Sequence, residues 1–272
     1  MGKIVAAYCT SHILMSRATV EPAADRVVAG MIQIQQRLHA ARPDLVVIVS
    51  NDHMFNVGTG LEPPFVIGAS RVYRACGDLG IPPTLQFPGD PEFAQAFVAH
   101  AAGQGFDLAL LRNYRPDHGV SIPAMIASPR GATPIVPLLT NVNMTPAPTP
   151  KRCYALGRAL REFIEQARPA DERIGLLGTG GLSHWLALPR HGEIARDFDE
   201  EVLQLFAGGR ADALSERSAD EIVQAGGNGG LEVINWLVLA GAMGGARGRR
   251  IYYEPIETWM TGMAGIEIDV AA

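Results

Sequence analysis

Cysteine is scarce in this 272-residue chain. Cys9, Cys76 and Cys153 are the three present, none in a C-x-x-C spacing, and an odd number leaves one unpaired in any disulfide scheme. A disulfide scaffold is a poor fit, and a reducing cytoplasm is the expected compartment. No apolar run approaches the roughly 20 residues that span a bilayer. The opening M-G-K-I-V-A-A-Y enters a strand pattern at once, without the layout of a signal peptide. There is no polybasic run, and the net charge is −5. That balance argues against nucleic acid and against a membrane surface as partners. G-x-S-x-G does not occur, which leaves little for a serine hydrolase. The glycine-rich G-T-G-G at 178–181 has neither the G-x-x-x-x-G-K-S/T nor the G-x-G-x-x-G form of a phosphate loop.

What is present is apolar residue in quantity, 47% of the chain. That is enough for a sizeable core in one large domain, here residues 1–272, with no linker, repeat or low-complexity tract to divide it. Short apolar runs alternate with longer segments of helical period, the mark of β-α units around a largely parallel sheet. Strands are expected at Ile4–Cys9, Leu45–Ser50, Phe65–Gly68, Leu108–Leu111, Ile135–Leu139, Ile174–Leu177, Ile251–Pro255 and Ala264–Val270. Helices are expected at Pro22–Arg42, Asp90–Gly103, Arg152–Ala167, Glu193–Phe206 and Gly230–Met243, with a Pro-rich loop from Pro146 to Pro150. The predicted fold is α/β: a mostly parallel central sheet flanked by helices, its active site at the strand carboxyl ends.

Histidine placement carries the functional reading. Four of the seven histidines follow strand-like runs: His12 in C-T-S-H-I, His53 in N-D-H, His118 in R-P-D-H-G and His184 in G-T-G-G-L-S-H. A single loop histidine is usually just a hydrogen-bonded surface or core residue. Four delivered to one crevice could make a metal site with its own acid/base groups. His12 and His53 are expected from neighbouring strands, so they could share an ion. Glu232 is the best carboxylate to join them, because it opens a nearly uncharged helix just after a glycine-rich turn. A carboxylate there also gains from the helix dipole without any metal. Imidazole and carboxylate suit divalent iron, zinc or manganese, and two histidines with one carboxylate leave coordination positions open at non-haem Fe(II). Asp52 and Asp117, each beside a histidine, are expected to orient a neighbour or cap a turn. His39 and His100 fall within predicted helices and His191 in a loop, where ordinary structural roles suffice.

Taken together, these landmarks resemble the class III extradiol ring-cleaving dioxygenases, the family of the protocatechuate 4,5-dioxygenase β subunit, 2,3-dihydroxyphenylpropionate 1,2-dioxygenase and gallate dioxygenase. The likeness runs through S-H, N-D-H, D-H-G, N-V…P-x-P…K-R-C-Y-A-L-G, G-T-G-G-L-S-H and G-L-E-x-x-x-W, of which K-R-C-Y-A-L-G and G-T-G-G-L-S-H are the most specific. It implies that His12, His53 and Glu232 hold Fe(II), that His184 is the catalytic acid/base and that His118 assists substrate or oxygen. Asn141, in the N-V piece, becomes a candidate substrate contact. The implied substrates are a small aromatic diol, or an aminophenol, and O2, in aromatic-compound degradation. Two departures bear on the substrate: S-H-I-L where the family often has S-H-x-P, and a different loop past the closing strand. Arg17, Arg74, Arg115 and Arg152 are candidates to hold a substrate carboxylate, although arginines so spaced are usually surface charges. A homo-oligomer is expected on general grounds, and some relatives need a small accessory subunit. Two other functions fit the same donors: a metal-binding interaction protein of this fold, and a zinc-dependent hydrolase.

Overall fold

The structure, a computed structural model, describes residues 1–58 and 60–270. Its centre is one eight-stranded sheet. The strands are β1 (Lys3–Thr10), β2 (Leu45–Ser50), β3 (Phe65–Gly68), β6 (Ala109–Leu111), β7 (Ile135–Thr140), β8 (Arg173–Thr179), β9 (Gly248–Ile256) and β10 (Thr261–Ile268), in the order β6-β3-β7-β2-β8-β1-β10-β9. A separate ribbon pairs β4 (Val72–Arg74) with β5 (Gln86–Pro88). In the middle of the sheet β7, β2, β8 and β1 are all parallel, so their carboxyl ends share one side. β3 runs antiparallel to β7 and takes β6 with it, while β10 and β9 close the other edge antiparallel. The alternation of β and α segments thus yields the α/β sheet that it predicts.

Every residue of β2 is buried, as expected of a strand covered on both faces. Leu45, Val47 and Val49 point to one core and Val46 and Ile48 to the other, the period of two that a pleated strand imposes. α1 (Glu21–Ala40) and α3 (His118–Ala127) cover the second face. The first is covered by α2 (Pro91–Ala102), α4 (Pro150–Ala167), α5 (Arg196–Ala207) and α7 (Val233–Met243). All eleven residues of α7 are buried, consistent with a helix apolar on every side. It meets α4 at glycine contacts. A Cβ on Gly157 would come within 1.9 Å of the Val238 carbonyl oxygen, and one on Gly241 within 1.9 Å of that of Tyr154. This close seating fixes where the amino end of α7, and Glu232 with it, enters the site.

Several boundaries differ from the sequence expectation. α4 begins at Pro150, two residues before the expected Arg152, because Thr149 caps it through Arg152 N. The helix expected from Gly230 is a 3-10 turn, Gly229–Glu232, that runs into α7. α3 and the capping-box helix α6 (Ala219–Gly226) have no counterpart in the sequence expectation. Among the described residues no helix is long and apolar enough to cross a membrane. All three cysteines are free.

Candidate metal centre

β1, β2 and β8 end in the crevice at Thr10, Ser50 and Thr179, and His12, His53 and His184 follow within five residues. His118 arrives by another route. β6 is reversed, so its carboxyl end points to the opposite end of the sheet, and residues 112–117 lead the chain to the amino end of α3. Asp117 caps that helix through Gly119 N at 3.0 Å. The strand-end expectation therefore picks His118 but not the reason for its position. The rings nonetheless converge: centroids are 5.1 Å apart for His12 and His53, 5.6 Å for His12 and His118, and 4.0 Å for the stacked His53 and His118.

Glu232 is buried among them. One carboxylate oxygen lies 3.3 Å from His12 Nε2 and the other 3.3 Å from His53 Nε2. The Gly181 amide donates to one of these oxygens at 2.8 Å and the Asn51 amide to the other at 3.1 Å. Burial alone would raise this carboxyl's pKa, but the surrounding His12, His53 and His184 imidazoles hold it well below the usual range.

Each imidazole is turned by a partner on its other nitrogen. Thr179 Oγ1 donates to the Gly119 carbonyl, so it accepts from His12 Nδ1 at 3.3 Å and leaves Nε2 toward Glu232. His53 Nδ1 donates to Asp117 at 3.1 Å, and the same carboxylate takes the His53 backbone amide at 2.6 Å. Burial lowers the His53 pKa, yet its bonds to Asp117 and Glu232 outweigh that and push it up to about 10. His118 Nδ1 and its backbone amide both bond Asp78. Burial, with the neighbouring His53 and His12, lowers the His118 pKa. His184 Nδ1 donates to the Leu182 carbonyl at 3.0 Å, an acceptor only, so the neutral ring keeps a lone pair on Nε2. Burial lowers its pKa as well.

This donor set fits a divalent cation. Two imidazole Nε2 lone pairs aimed at one carboxylate repel unless a proton or a metal ion lies between them. Cis ligands around an ion with bonds near 2.1 Å are about 3 Å apart, close to the separations seen. The outer partners Thr179 and Asp117 are the second layer that ligating histidines require. His12, His53 and His118 also offer nitrogens all within 4.8 Å of one another.

Asn141 lies at the carboxyl end of β7, but its Nδ2 is buried without a partner and no hydrogen bond joins it to the cluster. Arg17 pairs with Asp25, Arg152 lies over Phe65 and Phe106, and Arg74 and Arg115 line a different cavity. Asp52 caps its own turn through Asn56 N and Val57 N. Three contributors escape the sequence reading. Asp78 belongs to no motif. Asn51 was visible only as the first letter of N-D-H. Asn235, which donates to Asn51 and to the Thr179 carbonyl at 2.9 Å each, is a lone amide in an otherwise apolar helix, and that contrast is a signal.

The sequence matches the family described as the catalytic LigB subunit of aromatic ring-opening dioxygenase over residues 6–264. The chain belongs to this family. It is therefore an enzyme of the ring-opening class. The chain is 27% identical to a 2,3-dihydroxyphenylpropionate/2,3-dihydroxicinnamic acid 1,2-dioxygenase from Photorhabdus laumondii, over 94% of each chain. It is 34% identical to a gallate dioxygenase from Pseudomonas putida, over 60% of this chain and 48% of that one. The crystal structure of an uncharacterized Escherichia coli K12 protein shares the fold with a TM-score of 0.65, at 18% identity over 97% of this chain and all of the other.

Proposed function

We propose that this protein is a non-haem Fe(II)-dependent extradiol dioxygenase that opens a catechol-type ring beside the diol. In this reading residues 1–272 form one catalytic domain, and His12, His53 and Glu232 hold the metal. The observation that carries it is the Glu232 carboxylate reaching both Nε2 atoms at 3.3 Å, two histidines and one carboxylate on one face. Relatives named as dioxygenases of 2,3-dihydroxyphenylpropionate and of gallate support the substrate class. A ferrous ion bound there would supply a redox centre with positions open to both a catechol and dioxygen.

The remaining work falls to side chains. A catechol hydroxyl must lose a proton, and His184 Nε2 is the base, because Nδ1–H is committed to Leu182 and burial keeps the ring neutral. The protonated ring is then stabilised by the charge of Glu232, and it returns the proton as the ring opens. His118, oriented by Asp78, leaves Nε2 free to steady the substrate beside His53. Asn51 and Gly181 hold the Glu232 oxygens, and Asn235 holds Asn51.

A second reading rests on the three nitrogens of His12, His53 and His118 within 4.8 Å, a set that also suits zinc in a hydrolase. It leaves the buried Glu232 without a reason to face two imidazoles, and the family match is to ring-opening dioxygenases, so the iron reading is preferred. The test is to load the purified protein anaerobically with Fe(II) and to follow oxygen uptake and absorbance with protocatechuate, gallate, 2,3-dihydroxyphenylpropionate and 2-aminophenol. Stoichiometric oxygen consumption with a yellow product is expected. Tight zinc with oxygen-independent hydrolysis, or no affinity for iron, would overturn the proposal.

A further inference from the structure

The reversal of β3 and β6 creates a second crevice. Both strands run antiparallel to β7, so their carboxyl ends meet at the end of the sheet opposite the metal centre. Strand carboxyl ends are where open α/β sheets seat ligands. The loops that leave them, with the first turn of α2, line an open concavity of about 590 Å³, a size suited to a small molecule. Four arginines line it: Arg71 and Arg74 after β3, Arg112 and Arg115 after β6. Among the described residues only Arg71 has a carboxylate partner, Glu92. Glu92 also lines the concavity but is taken by Arg71, so three guanidinium groups share it with no carboxylate partner of their own, in a chain whose net charge is −5.

The walls are tied together. Ser70 Oγ donates to the Arg112 carbonyl at 2.6 Å, Gly89 N to the Arg71 carbonyl at 2.9 Å, and the buried rings of Tyr73 and Tyr114 meet edge-on at 6.1 Å. Gly89 has no room for a side chain, since a Cβ would meet the Ser70 carbonyl at 2.2 Å. These contacts hold the backbones that carry the arginines around one concavity. Guanidinium forks match phosphate and carboxylate oxygens in pairs.

We propose that this cavity binds a compact polyanion, bearing phosphates or clustered carboxylates, at a site separate from the metal centre. Isothermal titration calorimetry of the metal-loaded protein, at constant ionic strength, tests it with two weakly chelating probes, fructose 1,6-bisphosphate and tricarballylate. Saturable one-site binding of at least one probe is expected, and the responding probe tells phosphate from carboxylate chemistry. Affinity should fall 10- to 100-fold in the Arg74→Gln/Arg112→Gln double variant, as removal of two charge-assisted contacts implies, and should hold in Arg130→Ala. Both double-variant positions are exposed, so folding is not at stake. No saturable binding of either probe, or equal affinity in the double variant, overturns the proposal.

Discussion

Gly229 lies against the ring of His184: a Cβ built on it would fall 1.9 Å from Nε2. Gly181 and Gly227 press on the same residue, the first at 2.9 Å from its ring and the second at 2.1 Å from its carbonyl oxygen. The glycine-rich stretches on both sides of the site therefore serve as a mould for one imidazole. Gly229 has an ordinary φ, so alanine there meets only this contact and no backbone penalty. Gly229→Ala should keep the metal and lower kcat, because the base is pushed off its line to the substrate. Its loss should approach but not exceed that of His184→Ala, which is expected at about 10²- to 10⁴-fold. Metal analysis with steady-state kinetics on both variants checks this; a Gly229→Ala enzyme with wild-type kcat would show that His184 is not the base.

Glu232→Ala removes the carboxylate that faces both Nε2 atoms. Iron binding and turnover should disappear together, as they should in His12→Ala and His53→Ala. Glu232→Gln is the sharper variant, since it keeps the Gly181 contact on one oxygen while the charge is lost. Metal titration followed by oxygen uptake gives the answer. Full iron occupancy in Glu232→Ala would shift the ligand set to the three histidines.

Asp117 acts through His53. Its carboxylate takes His53 Nδ1 and N on one oxygen and caps α3 on the other, and those bonds hold its own pKa down against burial. Asp117→Asn keeps the shape and the cap but can offer an amide to Nδ1, which favours the tautomer with its proton on Nε2, the nitrogen that would bind the metal. Metal affinity should drop by about 10- to 100-fold, the usual effect of losing such an outer partner. A fluorescence or calorimetric iron titration checks it, with the melting temperature as a control that α3 is intact.

How much of this was legible in the sequence follows from the physics of each element. β2 and β8 announce themselves as apolar runs because both of their faces are covered, and His53 and His184 are found by counting forward from them. α3 hides: its H-G-V-S-I-P-A-M-I-A has glycine, three β-branched residues and Pro123 inside it, and eight of its ten residues are buried, so no polar stripe marks its period. His118 is picked out as following a strand-like run, whereas it enters the site from the amino end of α3. Asp78 is beyond sequence reasoning, because nothing local marks a loop carboxylate that finds its partner 40 residues later. The reversal of β3 and β6 is likewise set by tertiary pairing. Four residues at Phe65–Gly68 read the same in either direction.

Asp199 offers a test by pH. It is fully buried at the start of α5, where its oxygens accept from Ser183 N at 2.7 Å and from Tyr253 Oη at 2.8 Å. Burial pushes its pKa up to about 6, against those hydrogen bonds and the charge of Arg196, which lower it. An unfolded aspartate titrates near 3.9. Below about pH 4 the group is protonated in both states and costs nothing. As pH rises through about 6 the folded state must ionise it in a poorly solvated place, and the stability held by the neutral form is lost. Two pKa units correspond to about 3 kcal/mol at most. Asp199→Asn has no charge to bury and keeps an oxygen for Ser183 N, so the variant and the wild type should melt alike near pH 4. At pH 7.5 the variant should melt several degrees higher, and thermal melts across that range decide it. Equal melting temperatures at both ends would mean that Asp199 is ionised throughout and that its two donors outweigh its burial.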